Sequence, residues 1–421
     1  VSPARPLHLL LAPDKFKGSL TAVEVARHLA AGLRRAEPGI AVTLLPVADG
    51  GDGTVDAAVA AGFARREAVV AGPLGDPVRA AFALRGETAV VEMAEASGLR
   101  RLPGGRPEPL RAGTHGTGEL IRAALDAGAR TVVLGVGGSA STDGGAGLLT
   151  ALGARLLDAA GHPLPPGGGG LAALDRIDLS GLDARLADTG LVLASDVDNP
   201  LLGEKGAAAV YGPQKGAGPG DVARLADTGL VLASDVDNPL LGEKGAAAVY
   251  GPQKGAGPGD VARLEAGLAR FADVLGRAAG PGAARAAELP GAGAAGGAGY
   301  GAMAALGAVR RPGIEVLLEV LGFAHALEQA TLVVTGEGAL DRQTLHGKAP
   351  LGVAEAARRH GLPVVAVCGR FDLTAAQSEA AGFLRVYALT ALQPDPARSI
   401  AEAGPLLERV GEALARDLSA G

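Results

Sequence analysis

The sequence predicts an α/β protein in which a discontinuous parallel-sheet domain is interrupted by a second α/β domain. Three observations carry this. About the first 80 residues alternate apolar strand-like runs with segments of helical spacing, which is parallel-sheet grammar. The same alternation resumes toward the C-terminus. Between the two, the texture changes to paired strands and Gly-rich connections. The expected division is 1–85 and 290–421 for the sheet domain and 86–289 for the insertion.

The elements follow in order. "LHLLLAP" reads as a buried strand and "TAVEVARHLAAGLRRA" as a helix with apolar residues at helical spacing, for which Ser19 is a candidate N-cap. "AVTLLPV" is a second strand, and "TVDAAVAAG" a helix closed by Gly62. "VRAAFALRGETAVVEMAEA" reads as two strands around an Arg-Gly-Glu turn, "GTGELIRAALDAGA" as a helix, and "RTVVLGVGG" as a strand running into glycine. The tracts "PLPPGGGG" (163–170) and "PGAGAAGGAGYG" (290–301) read as Gly-rich connections, the second leading into the apolar helix "AMAALGAV". The C-terminal part supplies strand "TLVVTGEG", helix "PLGVAEAARRHG", strands "PVVAVCG" and "LRVYALTA", and a last helix through "AGPLLERVGEALARDL".

Composition excludes several classes. A chain of 421 residues with 48% hydrophobic and 20% charged residues is ordinary globular material, long enough for two cores. A formal net charge of -6 with interspersed signs provides no basic field for nucleic acid. The one cysteine, Cys368, excludes an internal disulfide and any multi-cysteine metal cluster, so a reducing, cytoplasmic setting is expected. No apolar run reaches membrane-spanning length, and the start at Val1 lacks the features of a signal peptide. The absence of Trp makes aromatic stacking a poor expectation for ligand binding.

Residues 184–225 and 223–264 are identical, an exact tandem duplication with an offset of 39 residues. Repeat architectures stack three or more diverging units, so two perfect copies do not form one. Each copy holds a strand ("TGLVLAS"), an acidic turn ("DVDNPL"), the segment "GEKGAAAVYGPQKGA" and a Pro-Gly break. One slot in a sheet takes one strand, and a longer surface loop adds only about 0.6 kcal/mol per doubling of length. One copy is therefore expected to be spare. Thr189–Ser195 or Thr228–Ser234 should enter the sheet, and a mixed solution, strand from one copy and "GPQKGA" from the other, is allowed.

Four motifs can carry chemistry. "APDKFKGS" joins a strand end to a helix start, where α/β sheets bind ligands and backbone N–H groups favour anions, with Lys15 and Lys17 adding positive charge. "VADGGDGT" places Asp49 and Asp52 at the next strand end, suited to holding Mg2+ through its waters or to orienting a hydroxyl. "GVGGSASTDGGAG" (135–147) could close backbone amides around phosphate as a nest, although it is neither a P-loop nor a dinucleotide fingerprint. "TGEGALDRQTLHGK" offers Glu337, Asp341, Gln343 and Lys348 in one polar loop, with His346 a loop residue rather than a metal ligand. The histidines show no zinc spacing.

Taken in order with "GTGELI" and "SDVDNPLLGEKGA...GPQKGA", these motifs resemble the bacterial glycerate kinase family, which phosphorylates D-glycerate with ATP. The resemblance covers essentially the whole chain, and the duplication is where it departs from the family pattern. It implies a Rossmann-like domain interrupted by a second α/β domain, an active site between the two, ATP and Mg2+ as cofactors, and 2-phosphoglycerate as the product. It further implies phosphate held by Gly137, Gly138 and Ser139, with Asp143 and Asp196, or its duplicate Asp235, near Mg2+. Lys17 and Ser19 would hold phosphate or the glycerate carboxylate, and Asp49, Glu337 and Asp341 would orient the glycerate hydroxyls. Lys15, Lys348 and Lys215 or Lys254 are further phosphate candidates. The competing readings are a nicotinamide-dependent dehydrogenase, disfavoured by the missing fingerprint, and a non-catalytic small-molecule binding protein on a similar frame.

Overall fold

The computed structural model describes residues 7–195, 238–342, 344–346 and 348–419. The chain divides into two compact units: one of residues 1–49, 56–63 and 314–421, the other of residues 50–55 and 64–313. The first is thus assembled from separated stretches of chain, as the alternating patterns at the two ends of the sequence predict.

The first unit contains a five-stranded sheet in the order β13-β12-β11-β1-β2, parallel throughout. Its strands are β1 (His8–Pro13), β2 (Ala41–Leu44), β11 (Leu332–Leu340), β12 (Val364–Phe371) and β13 (Phe383–Ala388). β1 lies between β11 and β2 and is almost wholly buried, which is why "HLLLAP" is a continuous apolar run rather than an alternating one. The helix Ala22–Ala36 turns Val25, Ala26, Leu29 and Leu33 onto the core shared with Leu9, Leu11, Val334 and Leu407. Its partner is the C-terminal helix Ala403–Ser419. The two backbones approach so closely that a Cβ at Gly32 would lie 1.9 Å from the carbonyl oxygen of Glu408. The helix start differs from expectation. Thr21, not Ser19, is the N-cap, in a reciprocal capping box with Glu24, whereas the Ser19 hydroxyl donates to the carbonyl of Ile400 at 3.2 Å. β13 also ends sooner than "LRVYALTA" suggests, because Leu389–Leu392 is helical.

The second unit is built on a six-stranded sheet in the order β10-β9-β6-β5-β4-β3. β3 (Ala64–Ala71), β4 (Pro77–Arg85) and β5 (Thr88–Glu92) form an antiparallel meander, and β5, β6 (Thr131–Gly135), β9 (Gly190–Ser195) and β10 (Val309–Pro312) run parallel. β7 (Arg155–Leu157) and β8 (Arg176–Asp178) form a separate antiparallel pair. β3 pairs with β4 and β4 with β5, so the units divide at 63/64 and 313/314, against the expected 85/86 and 289/290. β3 carries mostly exposed side chains, which removed the alternation that would have marked it as a strand.

The two Gly-rich tracts are not flexible connections. Gly168 begins a 3-10 helix, Gly168–Ala173, where a Cβ would lie 2.0 Å from the carbonyl oxygen of Thr142. Ala294–Leu306 is a helix broken by left-handed residues at Ala295, Gly296 and Gly297, with residues 294–302 buried. Here glycine serves close packing inside a core.

Among the described residues, the duplicated segment contributes to the fold in the mixed manner. β9 comes from the first copy and pairs with β6 and β10, and Gly251–Ala256 with Lys254 comes from the second. The other strand copy, Thr228–Ser234, and the first copy's Lys215 lie outside the described residues.

Candidate active site

In the first unit, the candidate side chains gather where three adjacent parallel strands end at their carboxyl termini, the usual ligand side of such a sheet. β1 pairs Pro13 with Gly336 of β11, and the amide of Val47 donates to the carbonyl of Pro13 at 3.0 Å. Asp14 therefore leaves β1 between Glu337 on one neighbour and Asp49 beyond the other. Asp14 and Glu337 are buried, and Asp49 is half-buried. Burial raises the Asp14 pKa well above the carboxylate range against the pull of Lys15, and the charges of Asp49 and Glu337 push it the same way.

Glu337 is also raised by burial, opposed by Lys348 and by a hydrogen bond from Thr344. Its Oε1 accepts from the Thr344 hydroxyl at 2.6 Å and its Oε2 lies 3.6 Å from the Lys348 ammonium. Asp341, buried, closes the same loop: its amide donates to Thr344 Oγ1 at 3.1 Å. Lys17 is exposed on a tight turn from Phe16 to Leu20 in which Gly18 takes φ +80°. The structure thus brings together Lys15, Asp49, Glu337, Asp341 and Lys348. Ser19 is turned to its bond with Ile400.

In the second unit, the loop after β6 is held from several sides. The glycines expected to cradle phosphate are demanded first by backbone proximity: a Cβ on Gly137 would lie 2.5 Å from Gly51 Cα, and one on Gly138, at φ +74°, 2.8 Å from an Asp52 carboxylate oxygen. The amides of Gly137, Ala140 and Gly144 donate to the carbonyls of Gly50, Ser97 and Gly296, so those amides do not form a phosphate nest. Asp143, expected beside Mg2+, has another occupation. It is fully buried, its Oδ2 accepts from the Thr114 amide and hydroxyl and the Gly147 amide, and its Oδ1 accepts from Gly145. A carboxylate with both oxygens so engaged anchors the loop and the start of the helix Ala146–Ala151. Asp196 and Asp235 lie outside the described residues, and among the described residues no group of three or more His, Cys, Asp or Glu side chains is arranged to hold a metal.

Lys254 is a buried cation of this unit. Its ammonium is buried and donates to Ser139 Oγ at 3.0 Å and to the carbonyl of Ser141. Burial lowers its pKa to about 7, with the Asp143 charge opposing. The hydroxyls of Ser141 and Thr142 beside it are buried without hydrogen-bond partners among the described residues.

Two residues that matter here were not singled out from the sequence. Asp14 sits inside a quoted motif in which the lysines drew the attention. Glu92 ends the apolar strand "TAVVE", and a lone carboxylate there was a signal available to read. Its Oε2 accepts from the amides of Gly53 and Val55 at 3.1 and 3.2 Å, and Oε1 lies 3.9 Å from Arg100, which also pairs with Asp52.

Comparison with known proteins decides the family. The model of the glycerate kinase family matches residues 9–228 and again 222–419. The chain belongs to the glycerate kinase family. The two matches overlap within the duplication, as expected where a glycerate kinase segment occurs twice. A glycerate kinase of Bacillus subtilis (strain 168) is 44% identical over 366 residues, covering 86% of this chain and 85% of that protein. A glycerate 2-kinase of Escherichia coli (strain K12) is 41% identical with the same coverage. A crystal structure of a Salmonella typhimurium LT2 protein, assigned as glycerate kinase 2, superposes with a TM-score of 0.78 at 38% identity, covering 99% of both chains.

Proposed function

We propose that the chain transfers the terminal phosphoryl group of ATP to the 2-hydroxyl of D-glycerate, giving 2-phosphoglycerate and ADP. Family membership along nearly the whole chain carries the activity, and the relative named glycerate 2-kinase supports the position of transfer. Phosphoryl transfer asks the protein for positioning and charge compensation rather than covalent work. The first unit supplies carboxylates, Asp49, Glu337 and Asp341, to orient hydroxyls. Lys15, Lys17 and Lys348 supply cations for carboxylate or phosphate. In the second unit Lys254 with Ser139 is the phosphate contact.

Mg2+ suits this donor set as an ion carried mainly by phosphate oxygens and water, because the described carboxylates do not form a cage. When bound, it neutralises phosphate charge. Incubation of the purified chain with ATP, Mg2+ and D-glycerate, followed by phosphorus NMR of the product, tests the reading. Glycerate-dependent appearance of 2-phosphoglycerate is expected. A product phosphorylated at the 3-position would refute the regiochemistry, and ADP release indifferent to glycerate would refute the activity.

A further inference from the structure

We infer that Asp14 is the catalytic base of the transfer, its Oδ2 taking the proton from the glycerate hydroxyl. The inference rests on the kinase reading above. Three observations separate Asp14 from its neighbours. First, it leaves the interior strand β1 directly, held by its own amide donating to the carbonyl of Gly336 at 2.8 Å, so its place is fixed by the sheet. Secondly, Oδ1 is engaged by the Lys15 amide at 2.6 Å, whereas Oδ2 has no hydrogen-bond partner among the described residues although the residue is only 6% exposed. Both oxygens of Glu337, by contrast, are occupied by Thr344 and Lys348.

Thirdly, the surrounding charges set its basicity. Asp49 and Glu337 raise its proton affinity and Lys15 lowers it, while Asp341 and Lys348 face Glu337 beside it. Desolvation is the largest influence, and it leaves a base stronger than an ordinary carboxylate, closer to the neutral range where general-base catalysis is efficient. The step balances without another reactant. The hydroxyl oxygen forms a bond to the γ-phosphorus, the bond from that phosphorus to the β,γ-bridging oxygen breaks with its electron pair leaving on ADP, and the hydroxyl proton passes to Asp14.

The test is steady-state kinetics of the full chain and its Asp14→Asn and Asp14→Glu variants. For Asp14→Asn, kcat is expected to fall by about a hundredfold or more, with KM for glycerate and ATP within about threefold of the parent. Asp14→Glu, which keeps a carboxylate, should recover part of the loss. In the parent, kcat should fall about tenfold per pH unit on the acid side, a limb set by the base itself, so the measurement stands even if the Asn variant does not fold. An Asn variant that turns over within about threefold of the parent, or a parent profile with no acid limb in kcat, overturns the assignment of Asp14 and leaves the kinase reading intact. A parent that gives no glycerate-dependent product overturns both.

Discussion

Glu92→Gln should stabilise the protein at alkaline pH and leave it unchanged in acid. Glu92 is 1% exposed, and burial raises its pKa from 4.5 to about 7. The charges of Glu95 and Asp52 add to the rise, and the Val55 and Gly53 amides oppose it. Between these two values the folded chain holds a proton that the unfolded chain has released, so stability is fully present below pH 4.5 and is lost as pH rises through 7. At about 1.4 kcal/mol per pH unit, the loss amounts to about 3 kcal/mol. Glutamine keeps an oxygen to accept the Gly53 and Val55 amides and removes the ionisation. Urea unfolding followed by far-ultraviolet circular dichroism, the suitable probe for a chain without Trp, would compare parent and variant from pH 4 to pH 8. The stability difference should be small at the acid end, grow between pH 4.5 and 7, and level off near 3 kcal/mol. A difference independent of pH would refute the reasoning, showing Glu92 ionised in the native state beside Arg100.

Other outcomes follow from the same geometry. Asp49→Asn and Asp341→Asn should lower turnover far more than stability, because both lie in polar strand-end loops; normal turnover at saturating substrates with a lowered melting temperature would make them turn residues instead. Activity should require Mg2+ or Mn2+ and survive a zinc-selective chelator at constant Mg2+, since the available ligands are oxygen donors. Deleting residues 196–234, which by the identity of the copies gives the same 382-residue chain as deleting 187–225, removes 39 of the 421 residues. The product should be at least as active and as heat-stable as the parent, and loss of folding or activity would show that both copies are needed.

The parallel sheet was legible because β1, β11 and β12 are buried runs whose pattern does not depend on neighbours. β3 was not, since an exposed strand has no apolar face to announce it. The Gly-rich tracts misled for a physical reason: composition reports backbone freedom, whereas Gly168 and Gly296 are required because other main chain lies where a Cβ would be. At the site, motif order located the strand-end loops, yet residue type alone could not rank the carboxylates within them. Asp143 stands in the most suggestive loop and has both oxygens occupied, while Asp14, beside Lys15, keeps one without a hydrogen-bond partner among the described residues. Hydrogen-bond saturation separates an anchoring carboxylate from an available one, and only the fold reveals it.

Side chains within the two copies cannot decide the choice between them, since the copies are identical. The residues flanking them are not. Asp183 precedes the first copy, and its carboxylate accepts from the Arg185 amide at 3.0 Å and pairs with the Arg185 guanidinium at 2.6 Å. The corresponding residue before the second copy is Val222, which cannot cap Arg224. A side-chain cap of this kind is worth about 0.5–2 kcal/mol, and it stands directly upstream of β9. At the other end Glu265 follows the second copy and accepts from the Gly242 amide, whereas the residue that follows the first copy is Ala226, whose side chain carries no acceptor. The upstream flank therefore favours the first copy's strand, and the downstream flank favours the second copy's Lys254 segment. Both preferences are satisfied together only when the strand comes from one copy and the lysine from the other, which is the arrangement observed.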